Sequence, residues 1–161
     1  MLNVKQSIKT GISFGLTSSV ITTLGLMIGL YFGTQSRLAV IGGIITIALA
    51  DAMSDGLGIH VSEEARATST RRAIWEATLS TFLIKFLFTL TFLIPIVIFS
   101  LKVAVIVSVL WGYVILGLLT FMLGSKNTKD RLKMVLEHIS IMTLVIFLSY
   151  LLGLFVNRFF S

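Results

Sequence analysis

Two aspartates inside a long apolar run are the residues best placed to do chemistry. Asp51 and Asp55 lie one helical turn apart in ALADAMSDGLGIHVSEEA, so they share a face of the predicted helix. The same face carries Ser54, Gly58 and Ser62. A carboxylate inside a membrane costs at least ~2.5–3.5 kcal/mol on insertion scales, so two on one face need an explanation. At this stage they either bind a cation or a proton, pair with Lys85, or lie near enough to the membrane surface to stay hydrated.

Other oxygen ligands lie along the chain on either side of these aspartates. Ser18 offers a hydroxyl near the middle of the first apolar run, and His60 and Glu64 have the i, i+4 spacing that can hold a metal on a continuing helix. Charges at a helix end are more often simply solvated, so the His60–Glu64 signal alone is weak. The predicted metal ligands are Asp51, Asp55, Ser18, Glu63, Glu64 and Glu76.

Lys85 is the third charge inside an apolar run. It lies too far from either end of its run to reach the membrane surface, so we expect a buried partner in Asp51, Asp55 or Glu76. The sequence leaves open whether Lys85 and Asp51 form a structural ion pair or take part in proton coupling.

The elements that must position these residues are five long apolar segments. Of the 161 residues, 56% are hydrophobic and 12% are charged, about half the charge of a soluble domain. The segments are approximately 8–32, 38–60, 73–100, 103–123 and 139–160. Each is long enough to cross ~30 Å of hydrocarbon, and none shows the alternation of a barrel strand. The sequence predicts one domain (1–161), an all-α bundle of five transmembrane helices in a lipid bilayer, with Pro95 kinking the third.

The connections between the segments are short, and their charges predict an orientation. The N-terminus and the connections Val61–Arg72 and Gly124–His138 hold nine of the thirteen basic residues, against Arg37, Lys102 and Arg158 on the opposite side. The positive-inside rule then places the N-terminus in the cytoplasm and the C-terminus outside. We expect an integral protein of a prokaryotic plasma membrane, with Gly124–His138 as an amphipathic turn on the inner surface.

Composition also excludes several classes of function. The basic residues form short clusters and no continuous stripe, so nucleic acid is not an expected partner, and the absence of cysteine removes thiol chemistry. No GxxxxGK[ST], GxSxG or HExxH motif occurs, and Asp51 and Asp55 share one helix instead of facing each other from two. We therefore expect no enzyme and no cofactor apart from a transported ion.

Small residues form a stripe along the first segment: Gly11, Gly15, Ser18, Thr22, Gly25 and Gly29. Their spacing alternates between four and three, which puts all six on one helical face and allows close helix contacts. Packing is the commoner purpose of such a stripe; the wall of a pathway or a dimer contact is the alternative.

The first two helices resemble those of the vacuolar iron transporter family. GLTSSVITTLGLMIGL (Gly15–Leu30) is similar to that family's opening helix, and Ser54, Gly58 and Ser62 fall on the fixed positions of its second helix. Five spans with a cytoplasmic N-terminus also agree with the family's topology. The resemblance implies a homodimer that exports Fe²⁺ or Mn²⁺ from the cytoplasm in exchange for protons.

This sequence departs from the family pattern at two positions of the translocation path. Ser18 stands where the family has an aspartate, and Asp55 stands where it has a methionine. The connection Val61–Arg72 is also too short for the Glu-rich metal-binding insert of plant and fungal members. The leading hypothesis is a proton-coupled divalent cation transporter with oxygen ligands suited to Mn²⁺ or Mg²⁺. The alternative is a non-transporting membrane subunit or scaffold, whose polar residues pair with one another or with a partner.

Overall fold

The computed structural model describes residues 4–66, 69–123 and 127–160, and every regular element in these ranges is an α-helix. The helices are α1 (Val4–Thr34), α2 (Arg37–Glu64), α3 (Arg71–Thr91), α4 (Leu93–Ile98), α5 (Leu101–Leu123) and α6 (Thr128–Phe160). Ser36 and Thr70 cap α2 and α3, because each hydroxyl accepts a hydrogen bond from the backbone N–H three residues on.

Five helical segments of the described chain are long and apolar enough to span a membrane, which confirms the predicted all-α, five-span class. The third span runs through both α3 and α4, from Arg71 to Ile98, and is interrupted at Phe92. Pro95 has no N–H to donate to the carbonyl of Thr91, so the regular α-helical bonding stops there. Phe92 N–H instead closes a tighter turn onto the carbonyl of Thr89, at 3.1 Å.

Two of the predicted connections are too long. Helix α2 continues to Glu64 and α3 already begins at Arg71, so the Val61–Arg72 connection is shorter than expected. Of the Gly124–His138 connection, 124–126 lie outside the described residues, but the predicted amphipathic turn is wrong from Thr128 onwards, where α6 begins. The Leu, Lys, Met and Glu residues between Thr128 and His138 are strong helix formers, so α6 continues without a break into its apolar part. Its 33 residues make about 50 Å of helix, longer than the hydrocarbon layer is thick.

Helix α1 is the central element of the bundle, since it contacts α2, α3, α5 and α6. Its first half packs on α3: a Cβ on Gly15 would come within 2.9 Å of the Thr81 carbonyl oxygen. Its second half packs on α6, where a Cβ on Gly153 would lie 2.7 Å from the Gly29 carbonyl oxygen. The small-residue stripe therefore serves packing, against a different neighbour in each half.

The apolar core fills the second half of the bundle. It consists of Val20, Leu24, Met27, Ile28, Val40, Ile44, Phe92, Ile96, Ala104, Val105, Leu116 and Met142. In the first half of the bundle, the α1–α3 interface is lined by small and polar side chains instead. That half holds the candidate site.

Candidate cation site

The candidate site lies where the midpoints of three spans meet. Ser18 is near the middle of α1, Asp51 is at the middle of α2, and Lys85 is halfway along the span formed by α3 and α4. Glycines allow this approach: Gly15 packs against the α3 backbone, and a Cβ on Gly56 of α2 would lie 3.5 Å from the Thr78 carbonyl oxygen of α3. Polar side chains from three helices therefore converge inside the bundle.

Lys85 Nζ is the centre of this cluster. It lies 2.5 Å from Asp51 Oδ2, forms an ion pair with Asp55 Oδ2, and donates a hydrogen bond of 2.8 Å to Ser18 Oγ. Ser18 in turn donates to Asp55 Oδ2 at 2.6 Å. Thus one ammonium group meets two carboxylates and a hydroxyl. We refer to Ser18, Asp51, Asp55 and Lys85 as the ion cluster.

Burial differs within the ion cluster. The Lys85 side chain is only 1% exposed, whereas the side chains of Asp51 and Asp55 are 26% and 21% exposed. A buried ammonium group is tolerated only where anionic partners replace its hydration, and here two carboxylates do so. With all three groups ionised, the cluster carries one net negative charge. It therefore attracts further positive charge even with Lys85 in place.

The two carboxylates are held differently. Asp55 Oδ2 accepts hydrogen bonds from both Ser18 and Lys85. Asp51 Oδ2 is close to Lys85 Nζ, but the contact lacks the geometry of a hydrogen bond, and no other described group donates to that buried oxygen. Asp51 also lines a groove of about 610 Å³ between α1 and α2, together with Gly43 and Ser54. Asp51 is thus the more accessible and less restrained ligand.

The other predicted ligands lie elsewhere, at the end of the bundle where α2 gives way to α3. Glu63 is buried and accepts a hydrogen bond from Ser69 at 2.9 Å, while Arg66 lies 3.3 Å away. Glu76 Oε1 pairs with Arg72 Nε at 2.8 Å, so it is not the partner of Lys85. Glu64 Oε1 is 4.0 Å from His60 Nε2. Within residues 4–66, 69–123 and 127–160, no three of His, Cys, Asp or Glu are grouped to hold a metal.

Sequence reasoning missed a row of threonines around the ion cluster. Thr81 and Thr89 lie one turn before and one turn after Lys85, and all three face α1 as buried side chains. Thr23 donates a hydrogen bond of 3.3 Å to Thr89. The signal was present in the sequence, since a spacing of four through Thr81, Lys85 and Thr89 marks one helical face.

Comparison with known proteins adds no relative: no family model matches this sequence, and no curated protein matches it either.

Proposed function

We propose that this protein is a divalent cation transporter of the Fe²⁺/Mn²⁺ type, with Asp51 and Asp55 as its central ligands. The observation that supports the proposal is the ion cluster itself: two carboxylates on one face of α2, at the middle of the span, with Asp51 opening onto a groove. Intramembrane carboxylates of this kind commonly mark ion and proton pathways. The sequence resemblance to vacuolar iron transporters supports the same class of substrate.

In this proposal Lys85 is a resident cation that competes with the transported one. A divalent ion at Asp51 and Asp55 would take the place of the ammonium group, and Lys85 would then lie beside a doubly charged metal. Release of one proton from Lys85 removes that repulsion. Metal entry and proton release together change the net charge of the cluster, with its bound metal, from one negative to zero. Entry of the metal is thereby coupled to exit of a proton.

The donor atoms of the ion cluster favour hard cations. Two carboxylates and the Ser18 hydroxyl provide oxygen ligands only, which suit Mn²⁺ better than a softer ion, with water completing the coordination. Asp51 would bind first because it is the ligand at the groove. Asp55 would follow as Ser18 and Lys85 release it.

We further propose that the α2–α3 end of the bundle is cytoplasmic, that ions are exported, and that the working unit is a homodimer. Nine basic residues in the N-terminus and in the two predicted connections on that side support the orientation. Two grooves share Leu26, Leu30 and Ile47 as lining residues. One lies between α1 and α2, and the other lies mainly between α1 and α6. In the proposed dimer, a second copy covers these grooves and closes the path beside Asp51.

Flux measurements test the transport proposal. The purified protein is reconstituted in liposomes, and entry of Mn²⁺, Fe²⁺, Co²⁺ and Zn²⁺ is followed under an imposed pH gradient. We expect saturable, gradient-dependent entry that is lost in Asp51→Asn and in Asp55→Asn. The matched control is Asp130→Asn, which removes the same charge from an exposed position near the start of α6.

Absence of flux for all four ions, from protein shown to be folded, would contradict this function. It would favour the second candidate, a non-transporting membrane subunit. One observation supports that alternative: Lys85 already forms an ion pair with each of the two carboxylates, so the ion cluster contains a cation without a metal. Disrupting the ion cluster of such a subunit would lower its stability. One stoichiometric partner protein would co-purify with the wild type and not with the disrupted variant.

A further inference from the structure

A second polar region lies outside the ion cluster, in a cleft of about 370 Å³ at the α2–α3 end of the bundle. The cleft is lined by His60, Glu64, Ser69, Arg71, Ile74 and Trp75. It therefore combines a carboxylate, a guanidinium group and a hydroxyl. Neither the ion cluster nor the proposed transport step uses any of them.

The two charges of the cleft are available to a ligand. Arg71 is exposed and forms no ion pair with any residue in the described ranges, whereas Arg66 and Arg72 are taken up by Glu63 and Glu76. The Glu64 side chain is 64% exposed, and in the described part of the chain its basic partner is His60 Nε2 at 4.0 Å. A ligand with separate positive and negative groups fits this pair of opposite charges.

Two aromatic rings line the cleft beside these charges. His60 Nδ1 lies 3.0 Å from Thr78 Oγ1, and the His60 ring packs edge-on against Trp75 at 4.8 Å between centroids. These contacts join His60 of α2 to two residues of α3. The two rings form part of the lining of the cleft.

The same two residues open an apolar groove of about 340 Å³ between α2 and α3. Besides His60 and Trp75, it is lined by Met53, Gly56, Leu57, Thr78, Leu79 and Phe82. Because the cleft and the groove share His60 and Trp75, one occupant can lie in both. That occupant must be polar at one end and apolar along its length.

The position of the cleft matches the boundary of a bilayer. It lies where α2 ends at Glu64 and α3 begins at Arg71, while the groove runs along both spans towards their middle. Trp75 is 49% exposed at this level, and half-exposed tryptophans are typical of the headgroup region of a membrane. Basic pockets between transmembrane helices are known to receive lipid headgroups.

We infer that the α2–α3 cleft and groove bind one glycerophospholipid whose headgroup carries both a phosphate and a primary amine. Arg71 donates hydrogen bonds to the phosphate oxygens, Glu64 accepts from the ammonium group, and one acyl chain lies in the groove along Leu57 and Leu79. The charge complementarity selects this lipid over an anionic one, because Glu64 repels a headgroup whose only charge is negative. A primary ammonium group, unlike a quaternary one, can also donate a hydrogen bond to Glu64.

Native mass spectrometry of the detergent-solubilised protein tests this inference. Phosphatidylethanolamine, phosphatidylcholine and phosphatidylglycerol are added separately, and the retained lipid is counted. We expect phosphatidylethanolamine to be retained best, with Arg71→Gln and Glu64→Gln each lowering its affinity about fivefold, the upper range for one exposed ion pair. Glu64→Gln should leave phosphatidylglycerol binding unchanged or stronger. Leu57→Trp, which fills the groove, should weaken retention of all three.

Matched controls separate this site from general lipid coating. Arg72→Gln removes the same charge one residue away, outside the cleft, and Leu83→Trp enlarges an exposed α3 side chain outside the groove. Neither should change retention. Melting temperatures in lipid-free detergent check that all variants fold. Equal retention of the three lipids by the wild type, or equal effects of Arg71→Gln and Arg72→Gln, would overturn the inference.

Discussion

The two halves of α1 carry the same kind of small residue but pack in different surroundings, one polar and one apolar. The first half, from Gly11 to Ser18, packs on α3 and brings hydroxyls and charges together around Lys85. The second half, from Leu24 to Gly33, packs on α6 and on the apolar core. One helical stripe thus makes a close backbone contact in each half, and the ion cluster lies beside the first of them.

This difference shows which contacts depend on the presence of a charged partner. In the polar half, each buried charge is tolerated only while its partners remain. Removing one charged group therefore lowers the free energy of unfolding strongly, whereas removing all of them lowers it little. In the apolar half, the contact between α1 and α6 depends on packing alone, and adding volume where the backbones meet is destabilising. Single, combined and control substitutions therefore separate the two halves.

The largest loss of stability is expected from Lys85→Met. Asp51 and Asp55 would then share the interior without a cation, which costs about 3–5 kcal/mol when one partner of a buried ion pair is removed. The free energy of unfolding, measured by denaturing-detergent titration, should fall by that amount. Adding Asp51→Asn and Asp55→Asn to the same chain should recover most of the loss.

Lys102→Met is the control for this substitution, since it removes the same charge from an exposed position at the start of α5. It should be almost neutral. If Lys85→Met is as mild as Lys102→Met, the ion cluster does not hold the polar half together.

The second effect is expected in the apolar half, from Gly153→Ala. The added Cβ would meet the Gly29 carbonyl oxygen at 2.7 Å and Phe32 Cβ at 2.9 Å, so α6 must move away from α1. Overpacking of this kind costs about 1–3 kcal/mol of unfolding free energy. Gly58→Ala is the matched control, because its Cβ would meet nothing within 4 Å, and alanine is the better helix former. Equal stability of these two variants would refute the close α1–α6 contact.

The smallest effect is a difference between the two aspartates. Asp55→Asn weakens contacts to both Ser18 and Lys85, whereas Asp51→Asn weakens only the contact to Lys85. Asp55→Asn should therefore be the less stable variant by about 1 kcal/mol, the typical net value of one hydrogen bond. Thermal unfolding of both variants in the same detergent measures the difference. The reverse order would mean that Asp51 is the more tightly held ligand.

The sequence predicts the architecture well because hydrocarbon imposes strong rules on it. Long apolar runs without alternation leave a helical bundle as the class, and all five spans are present in the structure. Helix ends were predicted less well. Glu63, for example, remains helical and buried, with a hydrogen bond from Ser69 and an ion pair with Arg66 that the local sequence does not show.

The candidate site could be predicted only as a set of residue types. The spacing of Asp51 and Asp55 indicated one face, but which of three acids meets Lys85 depends on how α2 and α3 cross. The α2–α3 crossing is set by Gly56 against Thr78 and Phe82. The packing of α1 on α3 is set by Gly15 against Thr81. Glu76 lies about two and a half turns before Lys85 on the same helix, pairs with Arg72 and stays out of the ion cluster.

The most direct test of the account is proton release by Lys85 during metal entry. Lys85→Arg keeps a positive charge between Asp51 and Asp55, but a guanidinium group does not give up its proton in proteins. Liposomes containing a pH-sensitive dye report proton movement as Mn²⁺ is added outside. We predict that the wild type moves protons against Mn²⁺, and that folded Lys85→Arg moves neither ion. Mn²⁺ and proton fluxes of wild-type size in Lys85→Arg would contradict the role assigned to Lys85.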